Sequence, residues 1–234
     1  MAVRHRPAVA LAVLIAALAL PASASARFYG SSLRRPANVN FGCEVAPFFN
    51  TFSPSGFSFG ASGHRTCTWR PLGYLGRLGT GGTLASNGII RRVQIRAGRR
   101  PAPLRLTILQ SSSRLSPGGG TLQNSFTCCT ARRFSRVLRP RANRVSTFTV
   151  NMRVYRSVDS RALVQTNDVI GISGVGRGTL PLRVGSGHGG YTPGNAFSAF
   201  YYPLTRTGDP RVDGSGLTGI EVLLRWEFIP ARRR

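Results

Sequence analysis

The sequence predicts an all-β protein, an antiparallel β-sandwich of jelly-roll-like type. Three observations carry this expectation. Apolar and polar residues alternate with a period of two in several segments after Gly88, Gly-rich breaks separate those segments, and no stretch beyond residue 26 has the 3.6-residue period of an amphipathic helix.

The first element is not part of that fold. Arg4, His5 and Arg6 precede an apolar run from Ala8 to Leu20, Pro21 ends it, and Ala24-Ser25-Ala26 offers small residues for cleavage. This is the pattern of a signal peptide over residues 1–26. The apolar run holds about 13 residues, short of the roughly 20 that span a bilayer. No Arg-Arg pair precedes it, which favours the general export route over the one for folded proteins. The expected location is secreted or extracellular, with or without retention at the cell surface. No transmembrane segment is expected after cleavage.

Residues 27–87 are rich in Gly, Ser, Pro and Phe. Little of this stretch alternates, yet Phe41, Phe48, Phe49, Phe52, Phe57 and Phe59 are too many aromatics for a disordered tail. The expectation is an irregular segment packed on the domain and held by a disulfide. The sandwich proper is expected over 88–230. In Ile89–Arg96, Val93 and Ile95 alternate with Arg92, Gln94 and Arg96; in Leu104–Leu109, Leu104, Leu106 and Ile108 alternate with Arg105 and Thr107. In Val145–Tyr155, Phe148, Val150, Met152 and Val154 share one face. Val169-Ile170-Gly171-Ile172 reads as a shorter strand buried on both sides. Near the end Val222, Leu224, Trp226 and Phe228 are expected to face in, and Glu221, Arg225 and Glu227 to face out. Residues 231–234 form a basic tail.

Four cysteines, Cys43, Cys67, Cys128 and Cys129, in an exported chain read as disulfides. Their pairing is open. Cys43–Cys67 with a ring between the neighbours Cys128 and Cys129 competes with bridges from each early cysteine to one of the later pair.

The net charge is +25, and all 32 basic residues are Arg; only 7 residues are acidic. Such a balance invites a polyanion partner: nucleic acid, an anionic wall polymer or an acidic lipid surface. A GC-rich genome explains the missing Lys, but not the shortage of acids. The arginines are scattered, with the densest runs at Arg91–Arg100 and Arg132–Arg144.

Five segments in order, Cys43-Glu44-Val45-Ala46-Pro47-Phe48, Cys67-Thr68-Trp69, Gly88–Arg96, Cys128-Cys129-Thr130-Ala131 and Asn167–Ser173, resemble uncharacterised exported β-sandwich proteins of high-GC Gram-positive bacteria. The resemblance implies a jelly-roll-like sandwich. It implies no activity, and it carries over no functional residue.

Catalytic patterns are weak. Glu221 and Glu227 on one strand would stand roughly 20 Å apart, too far for a glycosidase pair. His64 and His188 lack metal-site spacing, and no Gly-x-Ser-x-Gly elbow occurs. Asp209 and Asp213 sit in a Gly-rich segment that misses the calcium-loop pattern. No cofactor and no metal are expected, and Asp168 is expected to cap a turn. The leading reading is a non-catalytic exported protein that binds a glycan or an anionic cell-wall polymer. Its expected contacts are the aromatics Trp69, Tyr74, Tyr191, Tyr201 and Tyr202 and the cations Arg92, Arg96, Arg132, Arg133 and Arg136. Specific nucleic-acid binding is not expected. A structural or adhesive surface protein without a small ligand is the alternative. A secreted hydrolase using His188 with Asp209 or Asp213 is another.

Overall fold

A computed structural model describes residues 26–49, 57–73, 86–114, 127–185, 197–201 and 217–231. Most of the expected signal peptide, residues 1–25, lies outside them, as do residues 232–234. The described chain is all-β. Its strands are β1 (Arg27–Gly30), β2 (Val45–Phe49), β3 (Phe57–Ala61), β4 (Cys67–Gly73), β5 (Gly88–Arg96), β6 (Leu104–Arg114), β7 (Thr127–Phe134) and β8 (Val145–Val154). They continue with β9 (Arg156–Asp159), β10 (Val164–Gly174), β11 (Leu182–Val184), β12 (Phe197–Tyr201), β13 (Leu217–Thr218), β14 (Ile220–Val222) and β15 (Leu224–Pro230). Among the described residues no helix is long and apolar enough to cross a membrane.

Two open antiparallel sheets dominate. One has the order β1-β15-β5-β8; the other runs β13-β12-β4-β10-β6-β7, with β9 also paired to β10. The pairs β2-β3 and β11-β14 form small separate ladders.

Alternation explains which side chains meet. Ile90, Val93 and Ile95 of β5, Met152 and Val154 of β8, and Trp226 and Phe228 of β15 enter one apolar cluster. So do Trp69 of β4, Leu104, Leu106 and Ile108 of β6, and Ile170 and Ile172 of β10. Each sheet therefore gives one face to a common core, the arrangement that removes most apolar area from water. The register fixes this. Leu106 lies opposite Ile172 and Ile172 opposite Trp69, which sets three core side chains in one row. The other face of β6, β7 and β10 is apolar as well: Leu109, Cys129, Ala131 and Val169 form a second cluster against Phe134. Val169–Ile172 is thus buried on both sides, inside a strand longer than its apolar run.

Several expectations need correction. Residues 27–87 are not irregular throughout, since β1, β2, β3 and β4 lie there. β1 adds an edge to the four-stranded sheet along β15, and β4 lies inside the seven-stranded sheet between β12 and β10. In β4 the sequence does alternate: Cys67 and Trp69 enter the core while Thr68 and Arg70 take the other face. Glu221 and Glu227 do not share one strand, because Leu223 separates β14 from β15 and the two strands pair differently. Neither acid faces open water, at 4% and 3% exposed. β15 lies between β1 and β5, so even its outer face is crowded by neighbours.

A Cys43–Cys67 disulfide ties the segment before β2 to the start of β4. Cys129 is also disulfide-bonded, so bridges from the 43–67 segment to the 128–129 segment are absent. Gly174 makes room for the first bridge: a Cβ there would stand 2.7 Å from Cys43 Sγ and 2.9 Å from Leu180 Cδ2.

Candidate functional site

All five described carboxylates are committed within the fold. Glu44 Oε1 accepts the Gly42 N–H at 2.7 Å. Asp159 Oδ1 accepts the N–H groups of Arg161 and Ala162 at 2.9 and 3.0 Å, a turn cap. Asp168 Oδ2 accepts the Tyr155 N–H at 2.9 Å. Glu221 Oε1 accepts the Ser31 hydroxyl at 2.7 Å. Glu227 takes the Arg92 guanidinium on both oxygens, at 2.5 and 3.0 Å. That fork is an ion pair across β5 and β15. Arg92 holds the Glu227 carboxyl below the usual glutamate value, against the opposing effect of burial. Asp209 and Asp213 lie outside the described residues.

Acids used in this way leave guanidinium groups with little local compensation. They gather most clearly where the chain changes sheets. β8 belongs to the four-stranded sheet and β9 to the seven-stranded one, and Tyr155 alone joins them. A one-residue corner needs its backbone groups held. Asp168 on β10 does this twice, with its own N–H donating to the Tyr155 carbonyl at 2.8 Å and its carboxylate accepting the Tyr155 N–H. Burial pushes the Asp168 carboxyl above its ordinary value, while the Tyr155 N–H and the charges of Arg133 and Arg132 pull it back.

Around this corner the surface is basic. Arg133 on β7 donates from Nη1 to the Arg153 carbonyl at 2.7 Å, which joins the edge strand of one sheet to the edge strand of the other. Its guanidinium carbon lies 4.9 Å from the centre of the Tyr155 ring, within cation–π range. Tyr155 is 45% exposed; Arg153 and Arg156 adjoin it in the chain and are exposed, as is Arg132, whose charge reaches Asp168. Arg156 is fixed by its N–H to Asn87 Oδ1 at 2.6 Å and by Nη2 to Gln165 Oε1 at 3.3 Å. The result is one exposed phenol with the Arg133 guanidinium over its ring, three further exposed arginines in the adjoining strands, and Asp168 buried beneath the corner.

Sequence reasoning found two of the five residues of this corner. Arg132 and Arg133 are in it; Arg136 is exposed farther along the chain after β7. Arg153, Tyr155 and Arg156 were missed. In sequence, Tyr155 is merely the last residue of an alternating run, and only the change of sheet there would have marked it.

Other expected contacts are corrected. Trp69 is fully buried in the core and presents no face to a sugar. Arg92 is held by Glu227, and Arg96 donates to the Leu33 and Arg34 carbonyls at 2.8 and 3.3 Å. These two belong to the fold of the four-stranded sheet rather than to a basic face. Tyr74, Tyr191, Tyr202 and His188 lie outside the described residues, and Tyr201 is described only as the end of β12.

Cavities open elsewhere among the described residues. One of about 380 Å3 is lined by Glu44, His64, Arg65 and Arg177 among others. Another, about 200 Å3, lies where β4, β6 and β10 run side by side. Among the described residues no three of His, Cys, Asp and Glu stand together as a metal site. No family model, no curated protein and no solved structure matches this chain.

Proposed function

We propose that this is an exported, non-catalytic β-sandwich protein that binds an anionic cell-wall polymer through the basic corner at Tyr155. One observation carries the reading. Every described acid is spent on the fold, while Arg133 lies over the exposed Tyr155 ring and Arg132, Arg153 and Arg156, their chain neighbours, are exposed as well. Chemically, such a cluster takes successive anionic groups of a polymer, and the ring offers a flat surface to the backbone between them. The anionic polymer is preferred to a neutral glycan, because the tryptophan expected to stack on sugar is in the core. Two sheets that each contribute a face to one core support the sandwich reading. Its jelly-roll-like type and its export rest on the sequence.

The test is retention of purified protein on walls bearing teichoic acid and on the same walls stripped of it. Retention should depend on the anionic polymer and fall in Arg132→Gln/Arg133→Gln. Equal retention on stripped walls, or no loss in the variant, refutes the reading.

A further inference from the structure

We propose that the cavity of about 200 Å3 over β4, β10 and β6, walled by Phe134 of β7, is a binding site for a small carboxylate, separate from the basic corner. The pairing register builds it. Arg105 lies opposite Ser173, and Ser173 opposite Thr68, so the three form a row across β6, β10 and β4. Their neighbours Leu104, Leu106, Ile172 and Trp69 enter the main core, so alternation sends this row to the opposite face.

Counting donors and acceptors gives the ligand its sign. Ser173 Oγ lies 2.7 Å from Thr68 Oγ1 and 2.6 Å from Thr107 Oγ1. Three hydroxyls carry three protons, and these two contacts use two of them. Among the described residues the third has no recorded acceptor. Arg105 also lines the cavity, and its Nε–H is buried without an acceptor. No acid is in the lining. A site with donors to spare and a fixed positive charge suits an anion. Phe134 and Val175 add an apolar wall, so an acid with a small apolar body fits better than a bare ion. For scale, a cavity of roughly 150 Å3 holds benzene. Arg133 of the basic corner lies opposite Ile108, three strand positions and roughly 10 Å along β6 from Arg105.

Isothermal titration with sodium benzoate at fixed ionic strength tests this, with benzamide as the uncharged counterpart. Benzoate should bind saturably at one site, and benzamide at least about tenfold more weakly. Arg105→Gln should weaken benzoate by about tenfold or more, while keeping polyanion retention. Arg132→Gln/Arg133→Gln should keep benzoate binding, so the two sites fail separately. If Arg105→Gln does not fold, Ser173→Ala should weaken benzoate several-fold, and benzoate should shift the wild-type amide resonances of Thr68 and Ser173. Absence of saturable benzoate binding, equal binding of benzamide, or undiminished binding in folded Arg105→Gln would overturn the proposal.

Discussion

Replacing Asp168 by Ala should loosen the corner on which the basic cluster is built. The Tyr155 N–H would lose its 2.9 Å acceptor, while the Asp168 backbone N–H would still donate to the Tyr155 carbonyl. A donor stranded at a part-buried site costs about 1–3 kcal/mol. For a chain of this size 1 kcal/mol moves the melting temperature by about 2–4 °C, so the midpoint should fall by about 4–8 °C at the centre of that range. Asp168→Asn keeps an oxygen in place and removes the charge that burial disfavours, so it should cost less than about 1 kcal/mol. The pH dependence has a definite sign. Because the folded carboxyl titrates above its unfolded value, the folded state holds this proton more tightly. Its stabilising contribution is present at low pH and is lost as pH rises from the ordinary aspartate value through the raised one. Asp168→Asn should lack that loss. Urea unfolding of wild type and both variants across pH 3–7, about the aspartate range, reads all three effects. Equal damage from Asn and Ala, or none from Ala, would refute the clamp.

Two further outcomes follow from the same kind of accounting. Removing the Cys43–Cys67 bridge, with its sequence separation of 24, should destabilise by about 3 kcal/mol, read by denaturant unfolding of Cys43→Ala/Cys67→Ala. Glu227 has the opposite pH sign to Asp168. Its carboxyl is held below the usual value by Arg92, so its contribution is present above the ordinary glutamate range and is lost as pH falls through the lowered value. Glu227→Gln should flatten that acid limb, and an unchanged limb would mean that the Arg92 fork does not stabilise the fold.

Much of the strand content was legible because alternation is local. β5, β6 and β8 each show it within their own residues, and each pairs accordingly. β4 was harder to read. Its Cys67-Thr68-Trp69-Arg70 alternation is short and lies among Gly, Ser and Pro, and its place beside β10 depends on partners about a hundred residues away. Trp69 illustrates the consequence for function: an aromatic in a Gly-rich stretch suggests a loop platform, whereas strand pairing puts it in the core. The outward face of Glu227 was readable from periodicity, but its burial was not, because that depends on β1 and β5 standing on either side of β15. The candidate site was partly legible for a similar reason. Arg132 and Arg133 adjoin in sequence, whereas Arg153 and Tyr155 meet Arg133 only because edge strands of two sheets meet. Asp168 was expected to cap a turn; it clamps a corner between sheets from within β10.

The salt dependence of polyanion binding tests the central claim most directly. A B-form DNA duplex serves as a polymer of known charge density, without any sequence preference being implied. Four guanidinium contacts predict a slope of log Kobs against log salt of about −3.6, at about −0.9 per neutralised phosphate. Arg132→Gln/Arg133→Gln should reduce that slope by about 1.8. A slope unchanged in the folded variant would contradict the account, because the charge that binds would then lie elsewhere on the protein.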